Sequence, residues 1–374
     1  MVFKHFPKIS EKLPFIALGE FPTPVKRLER LGEDIGISSL YLKDDGPSGR
    51  LYGGNKVRKL EFLLGRALLN SVREVMTFGA AGSNHALATA IYARQVGLKC
   101  ISILTPQPNA EYVRRNLLLA HAYGAEIHYY QNPVLLIAGA SYQLLRHKLL
   151  RDRFPSVIAP GGTSPLGVAG YVNAAFELEE QVRAGLLPEP DSIYVPVGTM
   201  GTAVGLMLGL RAAQLKGEVI GIRVVSSIFS NKRLAARLFN QTGKFLHGLD
   251  HSFPLLACTE KDINLEDGFL GPGYAHFTAE GMSAIRRIKE TEGIKLEGTY
   301  TGKALAALIH DARKSDLRSK SVLFWNTCNS RDLSAEAAKV DYRDLPRNLH
   351  SYFEKEVQPL DGKGEIDDQS PGGA

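Results

Sequence analysis

The sequence predicts an α/β protein built on parallel sheets, and three observations carry that prediction. Short apolar runs of strand character alternate regularly with stretches whose apolar residues recur at every third or fourth position. Most of those runs are apolar at consecutive positions, as strands covered on both faces by helices must be. The segments that follow several of them are rich in glycine, serine and threonine, and in open α/β sheets such loops bind ligands at the carboxyl ends of the strands.

In order, residues 1–20 read as a loose arm, and Phe21-Pro22-Thr23-Pro24 as a turn before a short helical segment ending at Leu31. A strand at 40–42 leads to the Gly-rich stretch around Gly53-Gly54-Asn55-Lys56. A helix follows at once, with Val57, Leu60, Leu63, Leu64 and Leu68 on one face. Strands are then expected at 75–78, 100–104, 126–130, 157–159, 192–197, 219–225 and 321–325. Helices are expected from His85 to Val96 and over 111–123, 135–150, 166–182, Thr202 to Leu215, 231–239, 279–291 and 302–314. No internal repeat is visible. Residues 351–374 are expected to form a disordered tail, Gly- and Asp-rich from about Asp361 on.

Bulk properties exclude several classes. Hydrophobic residues make up 44% of 374, enough for a large core or two domains. The net charge of +6 is spread out with no basic block, which argues against a nucleic-acid partner. Cys100, Cys258 and Cys328 are too few and too scattered for a disulfide framework or a zinc site. The first residues lack a continuous apolar run, and no stretch approaches a membrane span. The expectation is a cytoplasmic protein in a reducing compartment, with no metal and no membrane partner.

Lys56 stands at the mouth of a helix beside two glycines. There it would face a cavity, and helix polarity and burial would lower its pKa, as an amine nucleophile toward a carbonyl requires. The plain alternative is a solvated lysine in the first turn of a surface helix. A nucleotide-binding loop is excluded, because Asn55 precedes Lys56 and Val57 follows it where a Ser or Thr would hold magnesium. A second loop, Gly198-Thr199-Met200-Gly201-Thr202 running on to Gly205, offers bare backbone and two hydroxyls at a helix start, a phosphate cradle. Its alternative is a glycine-dependent helix–strand contact. One cradle, one presented lysine and no lysine on the cradle point to pyridoxal 5'-phosphate, which carries one phosphate and an aldehyde that links to lysine.

Further motifs run in order through the chain: Lys-Asp-Asp at 43–45, Gly-Gly-Asn-Lys-Val-Arg-Lys-Leu-Glu at 53–61, Gly-x-x-x-Ser-Asn-His at 79–85, and Gly-Tyr-Val at 170–172. Pro-Gly-Tyr at 272–274, Glu-Gly-Met at 280–282 and Tyr-Thr-Gly-Lys-Ala at 300–304 complete the set. From about residue 15 to 330 the chain resembles the D-cysteine desulfhydrase and 1-aminocyclopropane-1-carboxylate (ACC) deaminase family. These are pyridoxal-phosphate enzymes of the tryptophan synthase β type. The resemblance implies two open, twisted, mostly parallel sheets flanked by helices. Residues 1–54 and 165–350 would form a large cofactor domain, with 55–164 a small domain inserted in it. A homodimer and a small amino-acid substrate are implied as well.

On residues, the resemblance implies that Lys56 links to the cofactor and later moves the substrate α-proton. Asn84 would bond the cofactor's 3' oxygen, with Ser83 and His85 beside the substrate. Gly198, Thr199, Met200, Gly201 and Thr202 would hold the phosphate, and Tyr274 and Tyr300 would carry protons or contact the leaving group. Either tyrosine is otherwise a packed aromatic. Thr301 and Thr327 would lie at the pyridine nitrogen. ACC deaminases carry an acid at the position of Thr301 and leucine at that of Thr327, so both positions favour elimination from D-cysteine to pyruvate, ammonia and sulfide. ACC deamination is the alternative, and a non-catalytic cofactor-binding homologue a further one. The chain departs from the family at Asn326-Thr327-Cys328-Asn329, where His-Thr-Gly-Gly is usual, and at Met200, where a small residue is usual. Side chains would intrude where backbone should approach the cofactor. Cys328 is otherwise read as inert packing.

Overall fold

Strands buried on both faces need no polar–apolar alternation, and the central strands of this chain show none. In the computed structural model, which describes residues 2–314 and 317–361, Ser192–Val197 (β7) and Ser321–Asn326 (β10) bury every residue. They sit in a sheet with Val25–Arg27 (β1), Ser39–Asp44 (β2), Glu218–Arg223 (β8) and Asn264–Glu266 (β9), in the order β1-β2-β10-β7-β8-β9. Only β1 runs antiparallel to its neighbour. A second, wholly parallel sheet has the order β5-β4-β3-β6, from Glu74–Ala80 (β3), Lys99–Thr105 (β4), Glu126–Tyr129 (β5) and Ser156–Ile158 (β6). The eight expected strands are all present. The edge strands β1 and β9 were not expected, because Val-Lys-Arg and Asn-Leu-Glu lack the consecutive apolar residues that marked the others.

All strands of the second sheet fall within residues 74–158, and those of the first fall outside it. We propose that residues 55–164 form the smaller, inserted domain. The helix Lys56–Leu69 packs along Pro165–Arg183 so closely that a Cβ on Gly170 would lie 2.1 Å from the Arg58 carbonyl. Glycine there lets the lysine helix rest on the larger sheet's helical layer.

Three expectations need correction. The amino-terminal arm is not loose: Pro7–Lys12 is helical with Ile9 buried, and the Phe6 ring meets Phe176 and Phe253 at 5.8 and 5.0 Å. The helix expected over 231–239 continues to Leu249. The tail expected from residue 351 begins in structure. Tyr352 is buried, and its hydroxyl bonds the Gln107 backbone. The Gln358 amide bonds Ala275 and Phe277. These polar contacts were invisible to composition; residues 362–374 lie outside the described residues. No helix of the described residues is long and apolar enough to cross a membrane.

Candidate active site

The lysine loop is held by backbone geometry. Gly53 passes so near Gly46 that a Cβ would fall 1.7 Å from its carbonyl oxygen, and Gly54 has a φ of 81°. The Gly54 N–H donates to the Asp45 carbonyl and the Asn55 N–H to the Thr327 carbonyl. Asn329, one of the departures from the family pattern, accepts the Gly53 N–H at 2.6 Å and braces Arg331. Its side chain thereby ties the last strand's exit to the lysine loop.

This loop delivers Lys56 as the first residue of its helix, at the wall of a cavity of about 760 Å³. Burial pulls the Lys56 amine down to about 8, against the opposing pull of Glu297. The same cavity is lined by Ser83, Asn84, His85, the whole 198–202 loop, Tyr274, Tyr300 and Thr327, so the structure gathers these sequence candidates in one place.

Each element presents its group for a local reason. Ser83 caps the helix Asn84–Gln95 by accepting the Ala86 N–H, so this helix begins at the cavity wall. The Asn84 carbonyl oxygen accepts from the Tyr52 hydroxyl and the Asn116 amide, so its NH₂ is the end left for a ligand. Met200 takes the left-handed conformation, φ 64°, to turn the chain into the helix Gly201–Ala212. The Thr163 hydroxyl donates to that of Thr199 at 2.7 Å, under the same loop. The Tyr274 and Tyr300 hydroxyls share a 2.7 Å hydrogen bond, and burial raises both pKa values, so both are neutral.

Two placements differ from expectation. Thr301 is not on the cavity wall. It is fully buried, with its hydroxyl on the Glu297 carboxylate. The His85 ring lines the cavity at Gly162, near Lys59, and burial holds it neutral. The cradle does carry a lysine: Lys59 Nζ would sit 2.8 Å from a Cβ on Gly201 and bonds the Gly161 carbonyl. Lys59 falls three residues after Lys56 on the same helix face, a spacing that could have revealed it.

Glu297 was missed as well. Among the described residues it is the one carboxylate lining the cavity. It accepts the N–H groups of Thr299, Tyr300 and Thr301 at the start of the helix Thr301–Lys314, while burial raises its pKa. An acid just before a helix start is an ordinary capping signal, which hid its second exposure to the cavity. Cys328 lines the cavity too, with its thiol pushed up by burial and therefore protonated.

The Lys-Asp-Asp motif stays out of the cavity. Lys43 and Arg58 pair with Glu177 and Asp45 at 2.5–2.9 Å, and Tyr171 and Trp325 donate to Asp45. Two cations and two carboxylates balance in a closed network that fastens the lysine helix to the sheet.

The donor set suits pyridoxal phosphate. A lysine amine brought down to about 8 matches its aldehyde, and an amide NH₂ its ring oxygen. Backbone, hydroxyls and Lys59 at a helix start match its phosphate. Known proteins agree. Residues 16–327 match the family described as pyridoxal-phosphate dependent enzyme. A proposed 1-aminocyclopropane-1-carboxylate deaminase of Pyrococcus abyssi is 34% identical over 86% of this chain and 94% of its own. A D-cysteine desulfhydrase of Klebsiella pneumoniae is 32% identical over 84% and 94%. A crystal structure described as an ACC deaminase homologue superposes with a TM-score of 0.74 at 30% identity, covering 92% of this chain and 98% of that one. The fold extends to a threonine deaminase of Solanum lycopersicum, at 15% identity and a TM-score of 0.56. The chain therefore belongs to the pyridoxal-phosphate dependent enzymes, in the group that includes ACC deaminases and D-cysteine desulfhydrases.

Proposed function

We propose that the chain is a lyase that eliminates the β-substituent of a small amino acid, with D-cysteine the first candidate; with one water consumed, the products are pyruvate, ammonia and sulfide. The observation that carries this reading is the meeting, in one cavity, of Lys56, its amine lowered by burial, with the hydrogen-bonded hydroxyls of Tyr274 and Tyr300. Lys56 would hold the cofactor's aldehyde and serve as the base for the substrate α-proton. The amides at the start of the Asn84–Gln95 helix, with Ser83 beside them, hold the substrate carboxylate. The tyrosine pair holds a proton for the departing group. Lys59, Thr199, Thr202 and the 198–202 backbone hold the phosphate, and the Asn84 NH₂ the ring oxygen. When bound, pyridoxal phosphate supplies the electron sink for the pair left on the α-carbon. Thr327 lies on the wall, as a desulfhydrase reading requires. The finer expectations of a homodimer and a cytoplasmic location belong to this reading.

ACC deamination is the second reading, and Glu297 is the observation that favours it. A buried carboxylate in the cavity offers the acidic partner that Thr301 lacks. The test is one assay of the cofactor-loaded protein with D-cysteine and with ACC, following pyruvate, sulfide and 2-oxobutyrate. Sulfide with pyruvate supports the first reading, and 2-oxobutyrate alone replaces it with the second. A bound cofactor whose visible band never responds to any amino acid would leave the non-catalytic homologue.

A further inference from the structure

Tyr274 rides on a loop with no regular structure of its own. Residues 267–277 form neither helix nor strand, and Gly271 and Ala275 take left-handed backbone, φ 67° and 61°. That conformation costs an alanine free energy and persists only where surrounding contacts enforce it. Ala275 directly follows Tyr274, so whatever holds it also aims the tyrosine. The front of the loop is fastened by Lys303, whose amine donates to the Leu270 carbonyl at 2.7 Å. The back is fastened from a distant part of the chain. Gln358 donates its amide NH₂ to the Ala275 carbonyl at 3.1 Å and accepts the Phe277 N–H on its own oxygen at 2.7 Å. One side chain thus supplies the donor and the acceptor that a neighbouring strand would.

Gln358 is itself held. Its N–H donates to the Asn109 carbonyl at 3.0 Å. The Asn109 amide donates to the carbonyls of Tyr352, Lys355 and Glu356 at 2.9–3.1 Å, and the Arg114 guanidinium to those of Tyr352 and Lys355 at 2.8 and 2.7 Å. Residues 352–358 are therefore clamped to the stretch that follows β4 of the second sheet, while Gln358 reaches across to the loop that follows β9 of the first. Pro106 and Tyr274, one beside each end of this bridge, both line the cavity. The segment lies beyond residue 327, where the family match ends.

We propose that Gln358 is a positioning residue for Tyr274: the 352–358 segment straps the two loops together and sets the Tyr274 hydroxyl against that of Tyr300. The proposal rests on the proton-holding role given to that tyrosine pair above. The two hydroxyls are 2.7 Å apart, so a loop displacement of about 1 Å takes them past hydrogen-bonding range.

The experiment uses the full-length, cofactor-loaded protein with D-cysteine or ACC, whichever the assay above finds to be turned over. It compares wild type, Gln358→Ala, Tyr274→Phe and the double variant. Gln358→Ala should lower kcat about 10–100-fold, as a misplacement near 1 Å does, with the visible band and unfolding midpoint unchanged. KM should stay within about twofold, since the tyrosine pair serves the departing group and not substrate capture. Gln358→Met, of the same length but with neither bond, should reproduce the loss. The double variant should be no slower than Tyr274→Phe alone, because the strap then has nothing left to aim. In hydrogen exchange the Phe277 amide should lose about tenfold protection in Gln358→Ala, the worth of one hydrogen bond, while the helix Thr301–Lys314 keeps its own. Additive losses in the double variant overturn the proposal, because Gln358 then acts elsewhere. Unchanged kcat in Gln358→Ala overturns it too, as does a Phe277 amide that stays protected. Should neither amino acid be turned over, the proposed reaction fails, and the exchange of Phe277 alone decides the strap.

Discussion

Two buried polar clusters lie on opposite faces of the same helix, Lys56–Leu69, and they are built to opposite rules. On one face Arg58 joins Lys43, Asp45 and Glu177, where every charge has a partner and no cavity remains. On the other, Lys56 and Lys59 face about 760 Å³ of space with one carboxylate nearby. Both clusters are buried, so burial alone does not mark a functional site. What differs is whether the desolvated charges are satisfied within the chain. The closed cluster offsets its desolvation with ion pairs and holds the helix in place. The open one leaves its amines depressed and available to a ligand.

The largest effects should separate the two faces cleanly. Lys56→Ala should abolish turnover and the visible band of the lysine-bound cofactor while leaving the unfolding midpoint nearly unchanged. Retention of both signals would break the comparison. Arg58→Ala should do the reverse. It strands Asp45 and Glu177 in the core and should cost about 3–5 kcal/mol in denaturant titration.

The closed cluster should also show itself in acid. Burial alone would raise the Glu177 carboxyl, but Arg58 and Lys43 prevail and bring it from 4.5 down to about 2. A carboxyl depressed in the folded state contributes stability that is complete above its unfolded value and is lost as pH falls toward the folded one. Urea midpoints should therefore decline between about 4.5 and 2, and Glu177→Gln should flatten that slope. On the open face the amine is what titrates. Burial brings Lys56 to about 8, so cofactor capture by the apo protein should speed up as pH rises through that value.

Smaller effects sharpen the picture. Lys59→Gln should weaken pyridoxal phosphate retention about 10–100-fold, as expected for a lost bond to a charged group, with the fold intact by circular dichroism. Equilibrium dialysis would measure it, and an unchanged affinity would remove Lys59 from the cradle. The smallest change is expected from Thr301→Val, about 1 kcal/mol of stability from the lost bond to Glu297, with the cofactor spectrum unaltered. A shifted spectrum would return Thr301 to the site.

Much of this was legible in the chain. The eight principal strands, the lysine at a helix mouth and the loop at 198–202 follow from periodicity and glycine placement, which are local signals. The edge strands Val-Lys-Arg and Asn-Leu-Glu carry no apolar run, and the segment after residue 351 is held by side-chain bonds to distant residues that composition does not record.

By itself, then, the sequence determined the element order, the parallel architecture, the lysine at a helix mouth and the 198–202 loop, because backbone propensity and apolar spacing act over a few neighbours; the residues gathered around Lys56 from distant segments were implied by family resemblance. Only the tertiary structure decided which charges are spent and which are free. Lys43, Arg58 and Lys59 are equally cationic in the sequence, and Thr301 and Glu297 lie in one short motif. Whether each faces a partner or a cavity depends on elements as much as 134 positions apart, as Lys43 and Glu177 are. The free energy of a charge is set by what surrounds it, and no local pattern encodes that.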